Sequence, residues 1–250
     1  MAISVKQWRS VIAESAEILG DDWHVAGKGR YTALVRSRPQ WLFHLVYQEP
    51  TSNGRLVAYQ GLLSAPLPGS ESGQGGVTGG QFRDPERPDL RFKDVSDPGV
   101  VAEFAQTASR LKLDPVFDVS KALEVEEDYY VRNCERGNED RIYSGMTLRR
   151  LISLRVLCGS RPLPDLVSDV RRVLVDDEFS SFGILGDRSP DRGEARNRAM
   201  WQDLFARLEA ADRPAVEELL AQTRFDSLRA FGLAEEDIPD PIFPKMEVQW

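Results

Sequence analysis

Trp41-Leu42-Phe43-His44-Leu45-Val46-Tyr47-Gln48 is the stretch whose reading decides the fold. Successive side chains of an extended strand point to opposite faces. Trp41, Phe43, Leu45 and Tyr47 therefore go one way, and Leu42, His44, Val46 and Gln48 the other. Both sets are rich in apolar groups, the pattern of a central strand covered on both faces. Tyr31 to Val35 reads as the strand before it, across a connection broken by Pro39. The turn from Pro50 to Gly54, with its Asn53-Gly54 pair, leads into a returning strand from Leu56 to Leu63. The product is an antiparallel meander. His44, mid-strand beside Leu42 and Val46, is expected to be a buried, neutral, hydrogen-bonded scaffold residue, because a charged imidazolium there would be costly.

Working outward, Val5, Trp8, Ile12, Ala16 and Leu19 recur at helical spacing and stop at Gly20, which predicts an amphipathic N-terminal helix. Trp23 and His24 fall in a loop, and Gly27-Lys28-Gly29 leads into the Tyr31 strand. Residues 69–80 are glycine-rich and read as a loop; the spacing there fits neither a P-loop nor a dinucleotide fingerprint, since Gln81 follows Gly80. Leu90 to Asp94 suggests a short edge strand. Ser96-Asp97-Pro98 starts a helix striped by Val101, Phe104, Ala105, Ala108 and Leu111. A shorter helix runs from Pro115 or Ser120 to about Tyr130, with Glu124, Glu126, Glu127 and Asp128 as a solvated acidic face.

The charged stretch from Asn133 to Asp140 reads as a linker, dividing the chain into an α+β sheet domain over residues 1–132 and a helical region over 141–250, either separate or packed as one domain. In the second half Leu148, Leu151, Ile152, Leu154 and Leu157 mark one helix ended by Gly159. Leu166, Val167, Val170, Val173 and Leu174 mark a second. Trp201, Leu204, Phe205 and Leu208 mark a third, and Val216, Leu219, Leu220 and Thr223 a fourth beginning at Pro214. Ser180 to Gly193 reads as a loop. The tail from Asp237, with Pro239, Pro241 and Pro244, is expected to be extended and to dock Ile242, Phe243 and Trp250.

The first ~130 positions resemble a family of bacterial α+β domains of unknown function that are associated with immunity and defence. The likeness is carried by the leading helix, the Gly27-x-Gly29-x-Tyr31 approach, a strand reaching Gln48, a return strand with Gly61, the helix from Pro98 to Phe104, and the passage from Leu111 through Pro115 to Phe117. The resemblance implies a binding role and no catalytic residues.

Chemistry is sparse. His24 and His44 are the only histidines and Cys134 and Cys158 the only cysteines, so no catalytic residue, metal site or cofactor is expected, and the thiols are read as reduced and buried. The net charge of -8 and pI near 5.0 argue against nucleic acid as a partner. No apolar run is long enough to span a membrane, and residues 1–10 lack a signal-peptide core, so a cytoplasmic protein is expected. Arginine is concentrated between Tyr130 and Val175, where nine Arg face five acids. Arg149, Arg150, Arg155, Arg171 and Arg172 on two predicted helices are the candidate binding residues, for a phosphate-bearing or acidic partner. The competing reading pairs them internally with the acidic C-terminal helices. The expected function is a non-enzymatic cytoplasmic protein-binding module, an immunity or anti-phage-defence accessory able to form a homo-oligomer. The alternative is an enzyme on a phosphate-bearing substrate, using the glycine-rich loop 69–80 and the Arg-rich helices over 148–172.

Overall fold

The computed structural model describes residues 3–29, 32–36, 40–49, 55–62, 96–111, 119–136, 145–176, 192–230 and 233–245. The fold is α+β: an antiparallel meander with packed helices, followed by a mostly helical second half. Four strands, β1 (Trp23–Ala26), β2 (Ala33–Arg36), β3 (Leu42–Glu49) and β4 (Arg55–Leu62), lie in the order β1-β2-β3-β4. Leu34 pairs with Val25 on one side and Val46 on the other, and Leu45 faces Tyr59. Adjacent Leu45 and Val46 point to opposite faces, and both are buried. The central, doubly covered position read from the Trp41 stretch is what β3 occupies.

Trp23–Ala26 is a strand where the sequence reading placed a loop. Four residues with one exposed position, Val25, give too short an alternation to register by pattern. Positive φ angles at Gly27 (81°) and Gly29 (62°) turn the chain back into β2. His24 therefore stands on an outer strand of the described sheet, paired with Val35. His44 sits in β3 opposite Gln60, but its side chain lies outside the described residues. So do residues 69–80 and 90–94 and most of 180–193.

Helix α1 (Val5–Leu19) begins with a capping box, in which Ser4 Oγ accepts from the Gln7 N–H and the Gln7 side chain accepts from the Ser4 N–H. It ends at Gly20 with φ 71°. Helix α2 (Pro98–Leu111) is capped by Asp97, whose Oδ1 accepts from the Gly99 N–H at 2.8 Å, with Pro98 in the first turn as expected. Trp8, Val11 and Ile12 of α1 and Val101, Phe104 and Ala105 of α2 close over Trp23, Leu34 and Val46 to make one core. The Trp8 indole N–H donates to the Thr32 carbonyl at 2.8 Å, fixing α1 to the turn into β2. The chain divides into two compact units. Among the described residues the first holds the sheet, α1, α2 and Ser227–Asp240.

Among the described residues the second unit covers 119–226 and 241–245 and takes in helix α3 (Val119–Glu135), which composition placed ahead of a boundary at 133–140. Helix α3 is longer than expected and takes in Asn133 to Glu135, because its inward stripe continues past Tyr130 to the half-buried Asn133 and Cys134. Helices α4 (Gly145–Cys158), α5 (Leu163–Asp176), α6 (Arg192–Glu209) and α7 (Arg213–Ala230) follow, each over its expected apolar stripe. The last turn of α7 belongs to the first unit. From Leu151 to Cys158 every residue of α4 is buried, so this helix is the centre of its unit. Its end is a Schellman motif: Ser160 N–H bonds to Arg155 O, Gly159 N–H bonds to Val156 O, and Gly159 has φ 54°. Beyond α7, Glu235–Asp237 forms a 3-10 turn; of the side chains expected to dock, Ile242 is 71% exposed, Phe243 is half-buried, and Trp250 lies outside the described residues.

The α6–α7 turn repeats the Schellman pattern, with Asp212 N–H to Arg207 O and Ala211 N–H to Leu208 O, but Ala211 holds the left-handed position at φ 55°. Ala211→Gly is therefore expected to stabilise the chain by ~0.5–1 kcal/mol, read as a raised midpoint in chemical denaturation. Trp8→Phe, which strips the buried Thr32 carbonyl of its donor, is expected to cost ~1–3 kcal/mol in the same measurement.

Candidate functional site

The arginines singled out in the sequence do not converge on one point. Arg155, on the buried helix α4, is 2% exposed. Its Nε and Nη2 donate to Glu127 Oε1 and Oε2, both at 2.7 Å, and its Nη1 donates to Asp169 Oδ2 at 2.9 Å. Three helices, α3, α4 and α5, are thus joined through one guanidinium. Its carbon lies 5.5 Å from the centre of the Tyr130 ring, a further contact from α3. Arg161 Nη2 approaches Glu127 Oε1 at 3.6 Å from the turn after α4.

Arg150 pairs with Glu126 at 3.1 Å, also across α4 and α3. Arg171 is exposed on α5; it donates to Glu209 Oε1 at 3.3 Å and lies 5.3 Å over the Phe205 ring of α6. Arg149 and Arg172 are half-buried on α4 and α5, and each is engaged in a contact of its own. Among these pairs Glu126 and Glu127 come from α3 and Asp169 from α5, whereas the competing sequence reading looked to the acidic C-terminal helices, which supply Glu209.

Reading Glu124 to Asp128 as one solvated face holds for Glu124 and Asp128, which are exposed, and fails for Glu126 and Glu127. Ala122, Glu126 and Tyr130 are spaced by four, as are Leu123 and Glu127, so the two carboxylates lie on the stripe that faces the protein. That spacing was the available signal. A fixed set of cations on α4 is what makes their burial tolerable.

The electrostatics follow from burial and partners. Desolvation pushes the Glu127 carboxyl up, but the Arg155 hydrogen bonds and the charges of Arg155 and Arg161 together hold it below the ordinary carboxylate range. Glu126 goes the other way: burial raises it and the single Arg150 contact only partly offsets that. Burial likewise lowers Arg150, while the Arg155 guanidinium is raised despite its burial by Glu127 and Asp169. His24 in the first unit is lowered by burial, against the opposing charge of Asp237.

A second guanidinium caps α4. Arg213 at the start of α7 donates from Nη1 to Val156 O at 3.0 Å and from Nη2 to Leu157 O at 3.3 Å, while its Nε donates to Glu217 Oε1 at 2.6 Å. The cation adds a donor to Val156 O beside the Gly159 N–H and reaches Leu157 O as well, which also suits the negative end of the helix dipole. Sequence reasoning missed Arg213 because nothing in the spacing links positions 156 and 213.

Among the described residues no group of three or more His, Cys, Asp or Glu is arranged to hold a metal ion, and no helix is long and apolar enough to cross a membrane. Cys134 is half-buried and Cys158 buried, and neither is in a disulfide. Among the large apolar side chains exposed on the described surface are Val125 (50%) and Tyr129 (43%), one turn apart on the outward side of α3. No protein-family model, curated protein or solved structure matches the chain.

Arg155→Met is expected to destabilise by ~3–5 kcal/mol, because it leaves Asp169 buried without its cation and the half-buried Glu127 with only the 3.6 Å approach of Arg161. Replacing all three together by apolar residues should recover most of that loss. Since Glu127 lies below its ordinary value of 4.5 when folded, its contribution is present above pH 4.5 and is lost as pH falls through the lowered folded value. Urea midpoints measured from pH 6 to 3 should fall in the native chain, and Glu127→Gln should remove part of that slope.

Proposed function

We propose that the chain is a protein-docking module whose contact surface is the outward face of α3. The observation that carries this reading is the exposure of Val125 and Tyr129 one turn apart on a helix whose other face is anchored by the Arg155 and Arg150 pairs. Exposed apolar groups on a rigid element are what an interface uses as anchors, and tyrosine is among the residue types that most often dominate binding energy. The resemblance of the first ~130 positions to defence-associated domains supports a finer version, an immunity or anti-phage-defence accessory acting in the cytoplasm.

The competing reading, an enzyme on a phosphate-bearing substrate, would draw on the arginines over 148–172. Arg155 is a poor anion binder, because three of its five N–H groups already serve carboxylates. Arg150 and Arg171 are each ion-paired as well.

The test is capture of partners from the native host by the full chain, with mass spectrometry, compared across variants. Val125→Asp with Tyr129→Asp is expected to weaken the captured interaction about tenfold or more at unchanged helix content, the effect of losing a central anchor. Deleting Gly73 to Gly80 should leave it intact. Partner capture indifferent to the α3 double variant would refute this surface, and a phosphate-substrate turnover lost on deleting the loop would establish the enzyme instead.

A further inference from the structure

We infer that the segment after α7, Leu233 to Asp240, is an acid-sensitive latch on the first unit, held in place at neutral pH and loosened when His24 takes up a proton. The inference is independent of the docking reading above. The two faces of the sheet pack differently. Val25, Leu34 and Val46 stand opposite one another across β1, β2 and β3, and Leu34 and Val46 belong to the core closed by α1 and α2. His24, Val35 and Leu45 are the adjacent set in the same register, so they point to the other face. Val35 and Leu45 are buried and His24 is half-buried, so this face is covered as well.

The segment belongs to the same unit as the sheet. Buried Leu233 holds one end, its N–H donating to Leu228 O at 3.2 Å, and Gln40 holds the other, its Nε2 donating to Asp240 O at 3.5 Å just ahead of β3. Between these points Ala234 to Asp237 is exposed. The ion pair of Arg229 with Glu235, 2.9 Å long and exposed on both sides, adds little to the hold. A segment of this kind opens locally at small cost, so a modest bias moves it.

His24 supplies the bias, because the carboxylate of Asp237 acts on it from the 3-10 turn. Glu235, Glu236 and Asp240 lie on the same segment, and the exposed Asp21 and Asp22 precede β1. Arg36, opposite Trp23, is on the helix-covered face, and Lys6, Arg9, Glu14 and Glu17 of α1 are exposed beyond it. Burial disfavours the imidazolium more than Asp237 favours it, so His24 stands below its ordinary value of 6.5. The held state therefore binds the proton less readily than the released one. Its stability is complete above pH 6.5 and is lost as pH falls through the lowered value.

Hydrogen–deuterium exchange of the full chain, corrected for the intrinsic pH dependence of exchange, is the test. Residues 233–240 should open severalfold more at about pH 5.5 than at about pH 7.5, while Leu151 to Cys158 stays protected at both. His24→Gln, which cannot take up a charge, should abolish the difference and leave the segment as protected as in the native chain at about pH 7.5. Asp237→Asn should widen it, because the charge that favours imidazolium in the held state is gone. The His24 imidazole of the native chain, followed by NMR, should titrate below 6.5. Equal opening at the two pH values, a difference that survives His24→Gln, or a His24 midpoint at or above 6.5 overturns the inference. Protection lost from α4 at the same time would mean acid unfolding of the whole chain and overturn it equally. If His24→Gln does not fold, the NMR midpoint and the response of Asp237→Asn decide the matter.

Discussion

A guanidinium in the last turn of a buried helix is the constraint on which the second unit depends. A helix apolar on every side packs in many rotations at similar cost. Arg155 removes that freedom, because its planar fork is satisfied only when Glu127 of α3 meets it bidentately and Asp169 of α5 meets it from another side. A buried ion pair adds little net stability against an apolar replacement, but mispairing it is expensive. On this argument the Arg155 cluster acts chiefly as a selector of helix arrangement, and the apolar stripes of α4, α5 and α6 supply most of the stability.

The consequence reaches the surface. Once Glu127 is drawn inward, the helical repeat fixes where every other residue of α3 points. Val125 and Tyr129 are outside because Ala122, Leu123 and Tyr130 are inside. The contrast between Glu126 and Glu127 sharpens the point. These neighbouring carboxylates are displaced in opposite directions, one by a single cation that only partly offsets its burial and one by a bidentate cation that more than does so. Stability contributed by Glu126 is greatest at low pH and declines as pH rises through its elevated folded value, the reverse of Glu127.

Much of the fold was legible from periodicity alone. The double-faced apolar run at Trp41 placed β3 at the centre, the Val5 to Leu19 stripe gave α1, and Asp97-Pro98 gave the start of α2. Each of these signals is local, lying within a single helix, turn or strand. What escaped depended on length or on distance. Trp23–Ala26 is too short for alternation to declare itself, and its strand character comes from pairing with β2. The inward carboxylates of α3 were partly legible, since they share the stripe of Ala122 and Leu123, but a run of acids is ordinarily solvated unless cations elsewhere in the chain are brought against it. Arg150 and Arg155 lie more than twenty positions away, and their clustering in sequence looked like an outward basic face.

The same argument accounts for the two ends of the central helices. Gly159 at φ 54° announces the end of α4 in the sequence, whereas the Arg213 side chain that completes it comes from fifty-odd positions later and is visible only in three dimensions. Ala211 does the work of Gly159 at the end of α6 with a residue that resists the left-handed conformation. The tightness of that turn is the reason the conformation persists: Asp212 both closes the Schellman bond to Arg207 and caps α7 by accepting from the Ala215 N–H at 3.0 Å. One residue thus ends one helix and begins the next, which leaves no slack for position 211 to relax. Arg207 then reaches across the turn to the Ala215 carbonyl at 2.5 Å and to Asp203 at 2.9 Å, so the hairpin is held by side chains as well as backbone. Among the described residues of the helical unit, Arg150, Arg155, Arg207 and Arg213 bridge places that periodicity alone leaves unconnected, so these arginines are accounted for by architecture before any ligand is invoked.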